Sequence, residues 1–89
     1  MIEQEVEIIN RLGLHARAAA KLVHLTGQFE SQIWLAKDGD EVDAKSILGI
    51  LLLAAAQGSK VLIKCEGTDE SRALEAILEL IGNRFEEES

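Results

Sequence analysis

Along this chain the spacing of apolar residues switches between two and three-to-four. Period two belongs to a strand with one buried face, and a period near 3.6 to an amphipathic helix. Ile2, Gln4, Val6 and Ile8 alternate with Glu3, Glu5 and Glu7, which predicts a strand with one wet face. An alanine-rich run follows, helical to about Leu25, with Ala19, Leu22, Val23 and Thr26 at helical spacing and Gly27 fitting its C-cap. Period two returns over Ser31–Lys37, with Ile33 and Leu35 inward and Trp34 on the open face. Asp38-Gly39 then signals a hairpin into Asp40–Asp43. Residues 46–56 read as a short helix with Ser46 as N-cap and Gly58 as the C′ residue. Lys60–Glu66 alternates again, with Val61, Ile63 and Cys65 inward. Leu74, Ile77, Leu78, Ile81 and Phe85 form the stripe of a final helix, and residues 86–89 are expected as a frayed, solvated acidic tail. The order β-α-β-β-α-β-α predicts an α+β fold: a four-stranded, mostly antiparallel sheet with three helices on one face.

The 89 residues fit a single domain, 1–89, that buries about 60–65% of its unfolded surface. Stability of roughly 5–10 kcal/mol is expected, without room for a deep enzyme cleft. A net charge of −7 argues against nucleic acid, whose binding rests on basic contacts to phosphate. The single Cys65 has no partner for an internal disulfide and reads as a small buried hydrophobe, which fits a reducing cytosol. The glutamates at positions 3, 5 and 7 are unlike a secretory leader, and no apolar run approaches the roughly 20 residues that cross a bilayer. These features predict a cytoplasmic chain.

Two stretches carry the functional reading. In Gly13-Leu14-His15-Ala16-Arg17-Ala18-Ala19-Ala20, a lone histidine stands before the best helix-forming residue type. The simplest arrangement puts His15 at the N-cap with its ring over the free N–H groups of the first turn. Those groups and the macrodipole make a ready anion site. One ring nitrogen stays available as a nucleophile near neutral pH. Arg17 adds a planar cation that can hold phosphate oxygens in bidentate fashion. In the second stretch, Ser46-Ile47-Leu48-Gly49-Ile50-Leu51-Leu52-Leu53-Ala54-Ala55-Ala56, the helix is apolar nearly all round. So small a domain cannot enclose it, so part of Ile47, Leu48, Leu51 and Leu52 is expected as an exposed docking patch, with Ile50 and Leu53 in the core.

Over essentially its whole length the chain resembles HPr, the histidine-containing phosphocarrier family of the bacterial phosphoenolpyruvate-dependent phosphotransferase system. GLHARAAA at 13–20 is similar to the family's active-site motif, and AKSILGI at 44–50 to its regulatory-serine motif. The resemblance implies the family's open-faced β-sandwich. It implies that His15 accepts a phosphoryl group on Nδ1 from enzyme I and passes it to a downstream EIIA-type acceptor. Arg17 and the backbone N–H groups of Ala16, Arg17 and Ala18 would hold the anion. Such a protein is a carrier rather than an enzyme, needs no metal or other cofactor, and works as a monomer. The resemblance further implies that Ser46 is the target of an ATP-dependent HPr kinase/phosphorylase. Phosphate at that cap favours the helix and would act by placing negative charge beside the apolar patch.

Three departures from the family pattern stand out. Ala18 replaces the usual proline after the arginine, which loosens the turn but adds a donor. The basic surface near the site is thin: Arg11, Arg17, Lys21, His24 and Lys45, with Lys21 and His24 offered as part of the docking surface. Leu48 and Leu51 stand where methionine is frequent. The sequence is also compatible with three other readings. One is a regulatory relative acting only through Ser46, and another a paralogue in a nitrogen-related or regulatory phosphorelay rather than sugar uptake. The last is a small α+β ligand-binding module.

Overall fold

A computed structural model describes Met1–Glu88. Its elements are β1 (Ile2–Glu7), α1 (Ala16–Thr26), β2 (Gln32–Lys37), β3 (Asp40–Asp43), α2 (Ile47–Leu53), β4 (Lys60–Glu66) and α3 (Glu70–Gly82), followed by a short turn over Arg84–Glu86. The four strands lie in the order β1-β4-β2-β3, and every neighbouring pair is antiparallel.

The register shows why the alternation in the sequence is so clean. Ile2, Cys65 and Ile33 stand side by side across three strands, as do Gln4, Ile63 and Leu35. All four residues that β2 and β4 give to these rows are buried and face the helices. The next row, Glu3, Lys64, Trp34 and Asp43, faces away, with Trp34 half-buried on the open side. Asp38 and Gly39 both have positive φ, 52° and 88°, which matches the right-handed twist of the two strands they join.

The helices cover the inner face. Ala18, Ala19, Leu22 and Thr26 are the buried positions of α1, and Val23 packs at their edge. Ala73, Ile77 and Ile81 are the buried stripe of α3, with Leu74 and Leu78 beside them. Ile50 and Leu53 turn inward from α2.

Two expected helix ends move: the last helix stops at Gly82, so Phe85, expected on its stripe, lies in the turn beyond it with φ 54°. The second helix stops at Leu53 rather than running to residue 56, because Ala54 takes the left-handed conformation (φ 53°) and its N–H returns to the Leu51 carbonyl. Gly58 belongs to the next turn instead. In the expected acidic tail, Glu86 and Glu88 are exposed and Glu87 is not. Phe85 is fully buried, and the turn it anchors folds Glu87 back onto the protein with its side chain only 12% exposed. Ser89, the last residue of that expected tail, lies outside the described residues.

Candidate functional site

His15 is the N-cap of α1, in extended conformation (φ −74°, ψ 176°), and its carbonyl accepts the first intrahelical bond, from Ala19 at 2.8 Å. The N–H groups of Ala16, Arg17 and Ala18 therefore precede the helical ladder. Ala16 and Arg17 are exposed there, whereas Ala18 is fully buried. The first turn holds no acidic residue to compete for the positive end of the dipole.

Gly13 sets the approach to this helix. Its φ is +64°, and a Cβ there would stand 2.5 Å from the Ala55 carbonyl oxygen. Only glycine allows the loop to run this close to the exit of α2, where the Leu14 N–H donates to the same carbonyl at 2.9 Å. The histidine is thereby tied to the neighbourhood of the apolar helix.

The ring does not lie over the first-turn amides as a cap. The His15 side chain makes no capping hydrogen bond. Its Nε2 instead meets Glu87 Oε2 at 2.5 Å, with the imidazole 24% exposed. The other Glu87 oxygen accepts from Asn10 Nδ2 at 2.9 Å, and that same amide donates to the Gly13 carbonyl at 2.8 Å. The Asn10 amide, followed by the His15 ring bond and the charges of His15 and Lys21, holds the Glu87 carboxyl below its usual range against the opposing effect of burial. Lys21 joins the same structure: its Nζ donates to the Phe85 carbonyl at 2.6 Å and lies 4.0 Å from Glu86.

Arg17 is exposed and shares a shallow cleft of about 270 Å³ with Arg11, Leu12, Lys21 and the three terminal glutamates. Arg17, Lys21 and His24 also lie along an open groove of about 600 Å³ between α1 and α3. His24 is exposed on that side. At the start of α2, the Ser46 hydroxyl accepts from the Gly49 N–H at 3.1 Å, which makes it a true N-cap. Ile47, Leu48, Leu51 and Leu52 are all exposed, Leu48 and Leu52 by about 70% (67% and 73%). An apolar helix with two outward-facing leucines is costly in water and fits a surface that is covered in use.

Sequence reasoning missed Asn10, Leu12 and Glu87. Leu12 is 59% exposed and adds an apolar side chain beside the histidine loop. Glu87 was hidden because three consecutive glutamates look like a solvated end. The usable signal was Phe85, an aromatic side chain that needs burial and so pulls its neighbours inward.

Comparison with known proteins is decisive. The family model "PTS HPr component phosphorylation site" matches residues 2–83. This chain belongs to the HPr family. HPr of Cupriavidus necator is 52% identical over 87 residues, covering 98% of each chain, and HPr of Xylella fastidiosa strain Temecula1 is 48% identical over the full length of both. The crystal structure of HPr-C-His from Thermoanaerobacter tengcongensis superposes with a TM-score of 0.97 at 47% identity, covering all of both chains. HPr proteins are phosphocarriers of the phosphotransferase system rather than enzymes, and the open four-stranded sheet with three helices is their fold. No helix of the described residues is long and apolar enough to cross a membrane, and they contain no cluster of potential metal ligands.

Proposed function

We propose that His15 receives a phosphoryl group on Nδ1 from phospho-enzyme I and passes it to an EIIA-type acceptor. The observation that carries this reading is the partly exposed ring at the N-terminal end of α1, whose Nε2 is engaged by Glu87 and whose nucleophilic nitrogen is then Nδ1. The N–H groups of Ala16 and Arg17, with Ala18 behind them, and the Arg17 guanidinium form the anion seat. Transfer of a phosphoryl group asks mainly for in-line positioning and charge neutralisation, and a helix tip offers both without enclosing the group. Two partners can then reach it in turn. The exposed Ile47, Leu48, Leu51 and Leu52 supply the apolar part of the docking face, with Lys21 and His24 at its basic edge. In this reading the chain is one HPr domain acting as a monomer in the cytoplasm, without nucleic acid or cofactor.

A second role is supported at Ser46. Its hydroxyl oxygen is an acceptor in the cap, so the O–H remains free for a kinase. A phosphate there would sit beside the exposed leucines and oppose an acidic partner surface. Whether the acceptor belongs to sugar uptake or to a nitrogen-related relay is decided by which EIIA-type domain takes the phosphate.

Intact mass after incubation with phosphoenolpyruvate and enzyme I tests the principal reading. The expected product carries one acid-labile phosphate that His15→Ala cannot accept. An acid-stable phosphate, formed only with kinase and ATP and lost in Ser46→Ala, would instead mark a serine-only regulator. Uptake of neither would leave the ligand-binding module.

A further inference from the structure

The established chemistry of the family does not account for the folding of the C-terminal segment over the histidine. Arg84, Phe85 and Glu86 are three successive non-glycine residues at positive φ (55°, 54° and 64°), a conformation that L-residues rarely adopt even singly. The turn is held by the buried Phe85 ring and by the Lys21 bond to the Phe85 carbonyl. Its outcome is the delivery of one carboxylate to one imidazole nitrogen. Strain of this kind, retained by surrounding contacts, is commonly found where geometry serves function.

Asn10 points the same way. It is fully buried, and its Oδ1 has no hydrogen-bond partner among the described residues. Reversing the amide would place that oxygen against two acceptors, the Gly13 carbonyl and the Glu87 carboxylate, so the observed orientation is fixed. A buried acceptor is left unsatisfied while Nδ2 grips Glu87.

We propose that Glu87 is a positioning residue for phosphoryl transfer, fixing the His15 ring with its proton on Nε2 and its lone pair on Nδ1. This rests on the carrier reading of His15. An ionised carboxylate has no proton to give, so the shared hydrogen must belong to the imidazole. The other tautomer would carry its proton on Nδ1 and have no electron pair there with which to attack. During transfer the His15 Nδ1 lone pair forms the new N–P bond as the N–P bond of the donor phosphohistidine breaks. The electron pair of that bond leaves with the donor imidazole. The Nε2 proton is retained throughout, so the phosphorylated His15 ring becomes cationic and Glu87 already stands beside it as the counter-charge. The arrangement parallels the orienting carboxylate of a catalytic triad, with phosphorus in place of a carbonyl carbon.

The test uses full-length ¹⁵N-labelled protein, with Glu87→Ala and Glu87→Gln variants and Glu88→Ala as control. Backbone spectra and thermal melts establish that each is folded. Long-range ¹H–¹⁵N spectra above neutral pH then report the tautomer of His15, with exposed His24 as the solvated reference. We expect the Nε2–H form in the native protein and in Glu88→Ala, and a shift towards the His24 pattern in Glu87→Ala. Phosphoryl transfer from enzyme I should slow by about tenfold in Glu87→Ala and measurably in Glu87→Gln, the lower end of what losing a carboxylate partner costs a metal-ligating histidine. An unchanged ring spectrum in Glu87→Ala, or faster transfer in either Glu87 variant, would overturn the proposal. The second result would make Glu87 an obstruction. If the native protein accepts no phosphate on His15, the carrier reading fails, and the ring spectra still decide what Glu87 does to the imidazole.

Discussion

His15 and Ser46 occupy the same position on two neighbouring helices, and the structure treats them in opposite ways. Ser46 caps its own helix, accepting from the Gly49 N–H three residues on. His15 caps nothing of its own, and its ring is instead held by a carboxylate 72 residues along the chain. The start of α2 carries a side-chain cap, while the start of α1 has none and its His15 ring is engaged elsewhere. A helix start without a side-chain cap leaves its first-turn N–H groups without an intrahelical partner, the general condition for anion binding. The contrast separates a side chain that caps its own helix from one that is engaged elsewhere.

The largest disturbance of this contrast is expected from Gly13→Ala, which attacks the loop that brings His15 towards α2. The new Cβ would meet the Ala55 carbonyl oxygen at 2.5 Å, with φ at +64°. Left-handed strain together with a backbone clash should cost about 2–3 kcal/mol, read from denaturant unfolding. Phosphorylation of His15 should fall with it, because the shifted loop carries Asn10 and the ring out of register with Glu87. A stable variant with full transfer would show that the approach to Ala55 is incidental.

How far each of these features was legible depended on how local its cause is. Strand boundaries at Asp40–Asp43 and Lys60–Glu66 follow from period two and a two-residue turn, and both are found as expected. The Ser46 cap was readable because its partner lies within one turn. The exposure of Leu48 and Leu52 followed from the mismatch between an all-apolar helix and a small core. Residues whose role depends on distant packing were not readable. Nothing near Glu87 in the sequence mentions His15, and the connection exists only because Phe85 finds the core and Asn10 reaches across. The left-handed end at Ala54 was also missed, since alanine gives no propensity signal for that conformation. The resemblance to the family reached the histidine, arginine and serine, but the contacts made by the C-terminal turn had to be seen.

The third helix sharpens the comparison, because its N-cap residue works for a different segment. Asp69 makes no side-chain cap on α3. Its carboxylate accepts instead from the Ser31 hydroxyl, from the Glu30 N–H at 2.9 Å and from the Ser31 N–H at 3.0 Å, fastening the entry of β2 to the start of α3. The Ser31 hydroxyl, then the Glu30 amide, lowers the Asp69 carboxyl from 3.8 to about 2, against a smaller desolvation effect. The folded state thus favours the carboxylate. Its contribution to stability is complete above pH 3.8 and is lost as the pH falls from there through about 2. Asp69→Asn should melt below the native protein at neutral pH, and the two melting temperatures should converge over that acid interval. A constant difference across the same range would mean that the charge is not what fastens the two segments.

The smallest expected effect separates the two capping modes most directly. Ser46→Ala removes the acceptor for the Gly49 N–H and should cost about 1 kcal/mol in chemical denaturation. It should leave transfer to His15 unchanged, because the satisfied cap takes no part in holding an anion. Ser46→Asp tests the opposite combination. Aspartate is as good an N-cap as serine and its charge suits the helix dipole, so stability should hold or rise by a few tenths of a kcal/mol. Yet the charge now stands beside Ile47 and Leu48, on the face that a partner would cover, and transfer should slow through weaker docking. If aspartate weakened both stability and transfer together, the loss would come from the helix itself. A loss of transfer at undiminished stability would show that this closed cap acts only through the surface it adjoins.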